Sequence, residues 1–407
     1  MKNGKIYPWA LVGLLWVVAL LNYMDRQILS TLQGAIATDI PQLRLAENFG
    51  QLMAVFLWIY ALIGPFAGMA GDKFDKKRVI VLSLGIWSFI TLLMGAAQNF
   101  AQLYVLRAGM GFSEALYLPA ALALIASVHS EKTRGLAVGI HMTGLYVGQA
   151  LGGFGAALAD ICSWRAAFAW LGGFGVCYAL LLSVFLKSAK TAAPKTAQTR
   201  GLGGVLGCFS SLLKNPQFII ILFYFAAISM PSWASKNWLP TLFAQNLDLD
   251  MKIAGPAATI SLALASFAGV MIGGILSDKL GARFLRGRIF VLSAGLFLCV
   301  PGLVFMGFCQ SAPLVVAAAL CFGLGFGFLD ASNMPVLCQF VGAERRSAAY
   351  GLMNTIGVAA GGAVTVLFGR LSDGGSLGAA FASLAIFMLA VLAVVSAFLK
   401  PKNSEAE

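Results

Sequence analysis

Three acidic residues, Asp25, Glu114 and Asp330, sit inside long apolar runs that carry almost no other charge, and Arg26 and Arg107 lie close to two of them. Holding a charge at the centre of a bilayer costs about 2.5–3.5 kcal/mol, so a chain that keeps several there is expected to use them on ions or solutes. Arg107 and Glu114 are seven residues apart, two helical turns, which places them on one helix face about 10 Å apart along the axis. Desolvation favours the neutral acid at Glu114 and a nearby guanidinium favours the carboxylate, so alternating between those surroundings would load and release a proton. The plain alternative is a static buried pair that holds helices together. Asp25 and Arg26 are adjacent, so their side chains diverge by about 100° and cannot both serve the same neighbour. Arg26 is read as the substrate grip, because a guanidinium is always charged and takes a carboxylate or phosphate through two parallel hydrogen bonds.

Other polar residues in apolar runs extend this set. Lys236 lies between Pro231 and Pro240 beside Trp233 and Trp238, where it either lines a cavity or snorkels to an interface. Asp330, with Asn333, is a second proton site or a polar gate, although the position matching Arg107 is Gly323. His141, Tyr146 and Gln149, with Asn354, can hydrogen-bond a polar substrate, and His141 serves equally well as a bridge between helices.

These residues need helices to position them, and the composition supplies helices in a membrane. The 407 residues are 59% hydrophobic and 11% charged, with a mean hydropathy of +0.86, which water-facing surface cannot match. Twelve apolar stretches of spanning length fall near 8–35, 50–71, 79–98, 101–128, 134–159, 165–187, 216–245, 254–277, 289–310, 312–340, 347–371 and 377–399. The first begins after Lys2 and Lys5 but runs past Asp25 without a small-residue cleavage site, so a retained helix is expected. The seven cysteines show no paired spacing, which argues against disulfides and metal clusters. Only Arg44, Arg165, Lys252 and Arg370 fall in the loops on one side, and Arg26, Arg107 and Lys236 lie within spans. The remaining Lys and Arg occupy the opposite loops and both tails, which predicts cytoplasmic termini; a cell (inner) membrane is the expected location. The same asymmetry accounts for the net charge of +12 without invoking nucleic acid.

The longest polar interruption, 188–214, divides the spans into six and six: a bundle over 1–187 and a second bundle with a tail over 215–407. The halves echo each other. Gly68-x-x-x-Asp72-Lys73, followed by Lys76, Lys77 and Arg78, recurs as Gly274-x-x-x-Asp278-Lys279, followed by Arg283, Arg286 and Arg288. Gly109-x-Gly111-Phe112-x-Glu114-x-x-x-x-Pro119 recurs as Gly325-x-Gly327-Phe328-x-Asp330-x-x-x-x-Pro335, which makes Glu114 and Asp330 repeat mates. Glu131, Gly144 and Gly148 are matched by Glu344, Gly357 and Gly361 in the same order.

The Gly-x-x-x-Asp-(Arg/Lys) element after the second and eighth spans resembles the loop signature of the major facilitator superfamily, and the likeness covers essentially the whole chain. It implies an all-α fold of two pseudo-symmetric six-helix bundles, with Gly68, Asp72, Lys73, Arg78, Asp278, Lys279 and Arg283 gating as a charge-and-dipole latch. Asn22-Tyr23-x-Asp25-Arg26, Arg107 with Glu114, and Trp238-Leu239-Pro240 look like the anion:cation symporter family and, nearly as much, like Spinster-like transporters. That likeness implies that Asp25 handles protons with Glu114; with Arg107 and Asp330 they form the expected proton-coupling set, and Tyr23 and Trp238 join Arg26, Lys236, Tyr146, Gln149, Asn333 and His141 as the expected substrate set. Exporters of the superfamily usually have a Gly-Pro step in the fifth span, where this chain reads Gly148-Gln149, which lowers the odds of drug/proton antiport. Glycine ridges on the fifth span (Gly144, Gly148, Gly152, Gly153) and the eleventh (Gly357, Gly361, Gly362) allow helices to approach and slide.

No Walker loop, Ser-His-Asp arrangement or metal spacing is present, so an enzyme is not expected, nor a cofactor or bound metal. The expected function is proton-coupled symport of a small organic anion, a carboxylate such as a sugar acid, by a monomer working through alternating access. Sodium is an open alternative as the coupling ion. The other readings are a Spinster-like carrier of lysolipid or another amphiphile, a proton-coupled exporter, and a membrane sensor that has lost transport.

Overall fold

A computed structural model describes residues 3–187, 202–342 and 345–399, without the side chains of 3–5, 68–73, 131, 202–206 and 347. The described chain is helical. In order, the helices are α1 (Asn3–Asp39), α2 (Ala46–Lys73), α3 (Lys76–Met94), α4 (Phe100–Ala115), α5 (Tyr117–Val128), α6 (Glu131–Gly152), α7 (Gly155–Cys162), α8 (Trp164–Phe185), α9 (Leu202–Leu213), α10 (Pro216–Leu247), α11 (Met251–Arg283), α12 (Gly287–Phe308), α13 (Ala312–Leu337), α14 (Arg346–Asp373) and α15 (Leu377–Phe398). Eleven segments are long and apolar enough to cross a membrane, and the pair α6 and α7, bent by 54°, makes a twelfth. Polar residues mark the helix starts. Asn99 accepts a hydrogen bond from the Gln102 amide at the start of α4, and Asp250 accepts one from Lys252 at the start of α11.

Two of the expected spans are not single helices. The fourth breaks at Leu116 between α4 and α5, with Pro119 in the first turn of α5, where its missing N–H costs nothing. The fifth bends after Gly152 and Gly153. A side chain at Gly153 would strike the Thr259 hydroxyl and the Gly255 backbone of α11, so the bend lies where two backbones meet. Helix α9, inside the polar interruption, is a further difference. It docks on α10 and α14, buries Cys208 and Leu212, and takes a hydrogen bond at Ser211 from Arg345.

The internal echo appears as packing. Helix α4 lies on α2 and α3, and α13 lies on α11 and α12; α6 packs on α1, and α14 on α10; α3 meets α8, and α12 meets α15. Glycines permit these contacts in both sets. Gly111 abuts the Phe56 backbone of α2, and its mate Gly327 abuts the Ser266–Val270 stretch of α11. Gly144 and Gly148 of α6 meet the Trp16 and Leu20 carbonyls of α1, while Gly357 and Gly361 of α14 meet Phe225 and Trp233 of α10. Large apolar side chains that find no partner, among them Phe89, Trp170, Phe290 and Phe297, are exposed on the outside of the bundle.

The two sets meet along α2 with α14 and along α6 with α11. Hydrogen bonds from His129 to the Pro8 carbonyl and from the Lys187 amide to Tyr7 locate the N-terminal end of α1 beside the ends of α5 and α8. At the opposite, distal end the sets are clasped. Arg370 pairs with Glu47 at 2.8 Å, Lys252 pairs with Asp160 at 2.8 Å, and the Asp373 carboxylate accepts the Ala46 and Glu47 amides at 2.7 and 2.9 Å. Asp373 thus caps α2 from across the interface, where the helix dipole favours an anion. At mid-depth, Gln27 donates to the Lys236 carbonyl and Thr355 to the Ala61 carbonyl.

Candidate functional site

Asp25 and Arg26 lie in the interior of α1, which continues to Asp39, so they do not mark a helix end. Arg26 Nε donates to Glu114 Oε2 at 2.6 Å, and Asn22 Nδ2 donates to the same oxygen at 2.9 Å. Glu114 is 0% exposed and its Oε1 has no hydrogen-bond partner. The Arg26 guanidinium is stacked among the rings of Tyr23, Phe56 and Tyr60, at 5.0, 5.0 and 4.7 Å, which shields it while keeping it charged.

The other members of the cluster are looser. Asp25 points away from Arg26, as adjacent positions on a helix require, and accepts one long bond of 3.5 Å from Thr91 on α3; its Oδ1 has no partner. Arg107 is 3% exposed, rests on the Phe56 ring at 4.7 Å and donates to Met110 Sδ, leaving Nε unpartnered. Arg107 lies close enough to Asp25 and Glu114 to act on both charges, yet among the described residues it forms an ion pair with neither. The partner of Glu114 is therefore Arg26 on α1, because an i to i+7 spacing leaves the two α4 side chains a turn too far apart for contact. Arg26, expected as a free substrate grip, is engaged in this conformation.

A cavity of about 110 Å³ lies between the two sets, next to this cluster, and has room for several waters or a small solute. Its polar lining is Tyr23 from α1, Tyr146 and Gln149 from α6, Ser232 and Lys236 from α10, Ser266 from α11 and Asp330 from α13. Leu145, Leu262, Phe322 and Phe326 supply apolar wall. Lys236 Nζ sits over the rings of Trp233, Phe326 and Tyr23 at 4.8, 5.6 and 5.9 Å. The Tyr23 ring therefore touches both Arg26 and Lys236. Asp330 is exposed although protein surrounds it, because the surface it exposes is the cavity wall. The repeat mates Glu114 and Asp330 thus differ in setting: the first is sealed and paired, the second open and unpaired.

Tyr23, Tyr146, Gln149 and Lys236 stand where a solute in the cavity would meet them. Three other expected substrate residues do not line it. Trp238 is fully buried and donates to the Thr365 carbonyl, Asn333 accepts from the Tyr224 hydroxyl, and His141 packs on Tyr117 with its ring nitrogens near the Leu15 carbonyl. Bulk and hydrogen-bonding capacity at these positions serve the walls between helices. In the signature loops, Gly68, Asp72 and Lys73 belong to α2 by backbone, and their side chains lie outside the described residues. Arg78, Asp278, Lys279 and Arg283 are exposed and form no ion pair among the described residues. Asn22, Phe56, Tyr60, Ser232 and Ser266 were not singled out as site residues. Phe56 and Tyr60 share one face of α2 at an i to i+4 spacing, but such pairs are common in any apolar helix and only the opposing guanidinium gives them meaning.

Residues 15–366 match the family model described as Major Facilitator Superfamily. The chain belongs to that family. This facilitator is 27% identical over 381 residues to an "MFS-type efflux pump" of Mycolicibacterium smegmatis, covering 91% of this chain and 86% of the relative. It is also 27% identical over 410 residues to the "Probable galactarate/D-glucarate transporter GarP" of Escherichia coli K12, covering 91% and 89%. Its fold matches the crystal structure of a bacterial homolog of the human lysosomal transporter Spinster in an inward-facing and occupied conformation, with a TM-score of 0.80 at 19% identity and 96% of each chain covered. This facilitator is a multi-pass membrane transporter and not an enzyme.

Proposed function

We propose that this transporter carries a small organic anion, a carboxylate of the sugar-acid class, together with protons, by alternating access around the central cavity. The observation that carries the reading is the placement of Glu114, an enclosed carboxylate whose partner Arg26 is the cation that an incoming carboxylate would need. While Glu114 is ionised it occupies the guanidinium. A proton on Glu114 cancels that attraction and frees Arg26 for the solute, so substrate and proton load together. The oxygens without partners, Glu114 Oε1 and Asp25 Oδ1, are the places for such protons. Lys236, on the opposite set, adds a second positive charge at the cavity, and an anion held between Arg26 and Lys236 would draw the two sets together. In the orientation favoured by the basic loops, with cytoplasmic termini, the clasped distal end faces outward.

Entry of an anion against a negative interior is opposed by about 2.3 kcal/mol per charge per 100 mV, and one proton per monoanion removes that opposition. Proteoliposomes with an imposed pH gradient test the proposal. Inward acid-driven accumulation of a sugar acid is expected in the parent, and Glu114→Gln should lose accumulation while keeping exchange of solute across the membrane. Uptake that ignores acidity on either side would overturn proton coupling, and stabilisation by lysolipid with no response to sugar acids would favour an amphiphile carrier.

A further inference from the structure

The polar atoms on the cavity wall are unusual in having no protein partners. Among the described residues, the Asp330 carboxylate makes no hydrogen bond or ion pair, Lys236 Nζ rests on aromatic faces within electrostatic reach of Asp330 but not in contact with it, and no hydrogen bond joins the hydroxyls of Tyr23, Tyr146, Ser232 and Ser266 or the amide of Gln149 to protein. Buried polar groups are normally satisfied, so a set left open around one cavity describes the complement of what binds there. The complement has two ends. The Lys236 ammonium, near Arg26 through the shared Tyr23 ring, calls for an anion. The Asp330 carboxylate accepts hydrogen bonds only, so whatever meets it must donate them.

Resting on the proposed carboxylate transport, we infer that Asp330 is a specificity residue that selects a monocarboxylate carrying hydrogen-bond donors at its far end and rejects a second carboxylate there. A dicarboxylate would bring like charge against Asp330 inside a cavity of about 110 Å³. A plain fatty acid would leave Asp330 without any donor, and a site built for hydrogen bonds rejects the analogue that lacks them. Hydroxyl and ammonium donors both satisfy the carboxylate, and they are separated by the choice of probe.

Two matched pairs of six-carbon acids, each pair differing only at the far end, decide the matter on purified protein by calorimetry: gluconate against glucarate, and 6-aminohexanoate against hexanoate. Gluconate or 6-aminohexanoate, whichever identifies the donor, is expected to bind at least tenfold more tightly than hexanoate and glucarate. Asp330→Asn is expected to bring glucarate to within about threefold of gluconate, while Asp330→Glu keeps the parent order. Glucarate or hexanoate binding the parent as tightly as both donor-bearing acids would overturn the inference without any variant. An unchanged ranking in Asp330→Asn protein that unfolds at the parent temperature would overturn it as well. Failure of all four acids to bind would instead sink the carboxylate reading beneath it.

Discussion

Arg26 holds three rings and one carboxylate at once, so its removal has consequences for stability and for binding that can be told apart. Breaking a buried pair from one side leaves an uncompensated charge, a loss of about 3–5 kcal/mol. Arg26→Ala is therefore expected to lower the unfolding temperature and abolish binding of the anion, measured by scanning calorimetry and equilibrium binding. Adding Glu114→Gln removes the stranded carboxylate, so the double variant should recover most of the stability and none of the binding. Arg26→Lys should bind at least tenfold more weakly than the parent, because an ammonium cannot present the planar fork that stacks and grips together. At this scale much was legible from sequence. Intramembrane charge has few bland explanations, which is why Asp25, Arg26, Glu114 and Asp330 stood out against their apolar runs. What sequence spacing could not supply was the partner of Glu114, since Arg26 and Glu114 are 88 positions apart and meet only through the packing of α1 on the neighbouring helices. Trp238 and Asn333 resembled site residues for the same reason in reverse: polar atoms in a span are conspicuous, whether they face a solute or a neighbouring carbonyl.

The helices are arranged by glycines, and the ridge on α6 carries the clearest expectation. A side chain at Gly148 would meet the Leu20 backbone of α1, two turns before Ile28 and close to the stretch bearing Tyr23 to Arg26. Gly148→Leu is expected to cost about 1–3 kcal/mol by overpacking and to displace α1, weakening substrate binding even though Gly148 touches no solute. Gly139 on the same helix has open space around it, so Gly139→Ala should leave unfolding temperature and uptake near those of the parent. The four-residue spacing of Gly144, Gly148 and Gly152 announced this ridge in the sequence. The bend between α6 and α7 was hidden, because it depends on Gly255 of a helix from the other set. Helix α9 was hidden too: its leucines and glycines read as a tail of the polar stretch until α10 and α14 offer a surface for Cys208 and Leu212.

Across the whole molecule, the proposed alternating access makes each set a unit that tilts about the other, and the distal clasp would bias which way. Three contacts form it: Arg370 with Glu47, Lys252 with Asp160, and Asp373 on the amides that open α2. The two ion pairs are exposed and screened by water, so each contributes little. The cap contributes about 0.5–2 kcal/mol. Asp373→Ala should therefore raise the population opened at the distal end by a few-fold to about thirtyfold, read as faster alkylation of a cysteine placed at Ser372 or as a longer distance between spin labels at the two distal rims. Unchanged labelling would mean that the close backbone seam at Gly50, Gly153 and Gly369, with the Thr259 hydrogen bond to the Ala150 carbonyl, holds this end.

Because that clasp is made from charges in contact with water, its strength belongs partly to the medium. Dissolved ions screen exposed pairs over about 10 Å at 0.1 M and about 3 Å at 1 M. Raising ionic strength on the distal side alone should loosen the clasp and change turnover even for a solute whose own binding is indifferent to salt. On the proposed orientation, with the distal end outward, external salt would then act on this transporter as a setting of its resting posture, separate from anything it carries.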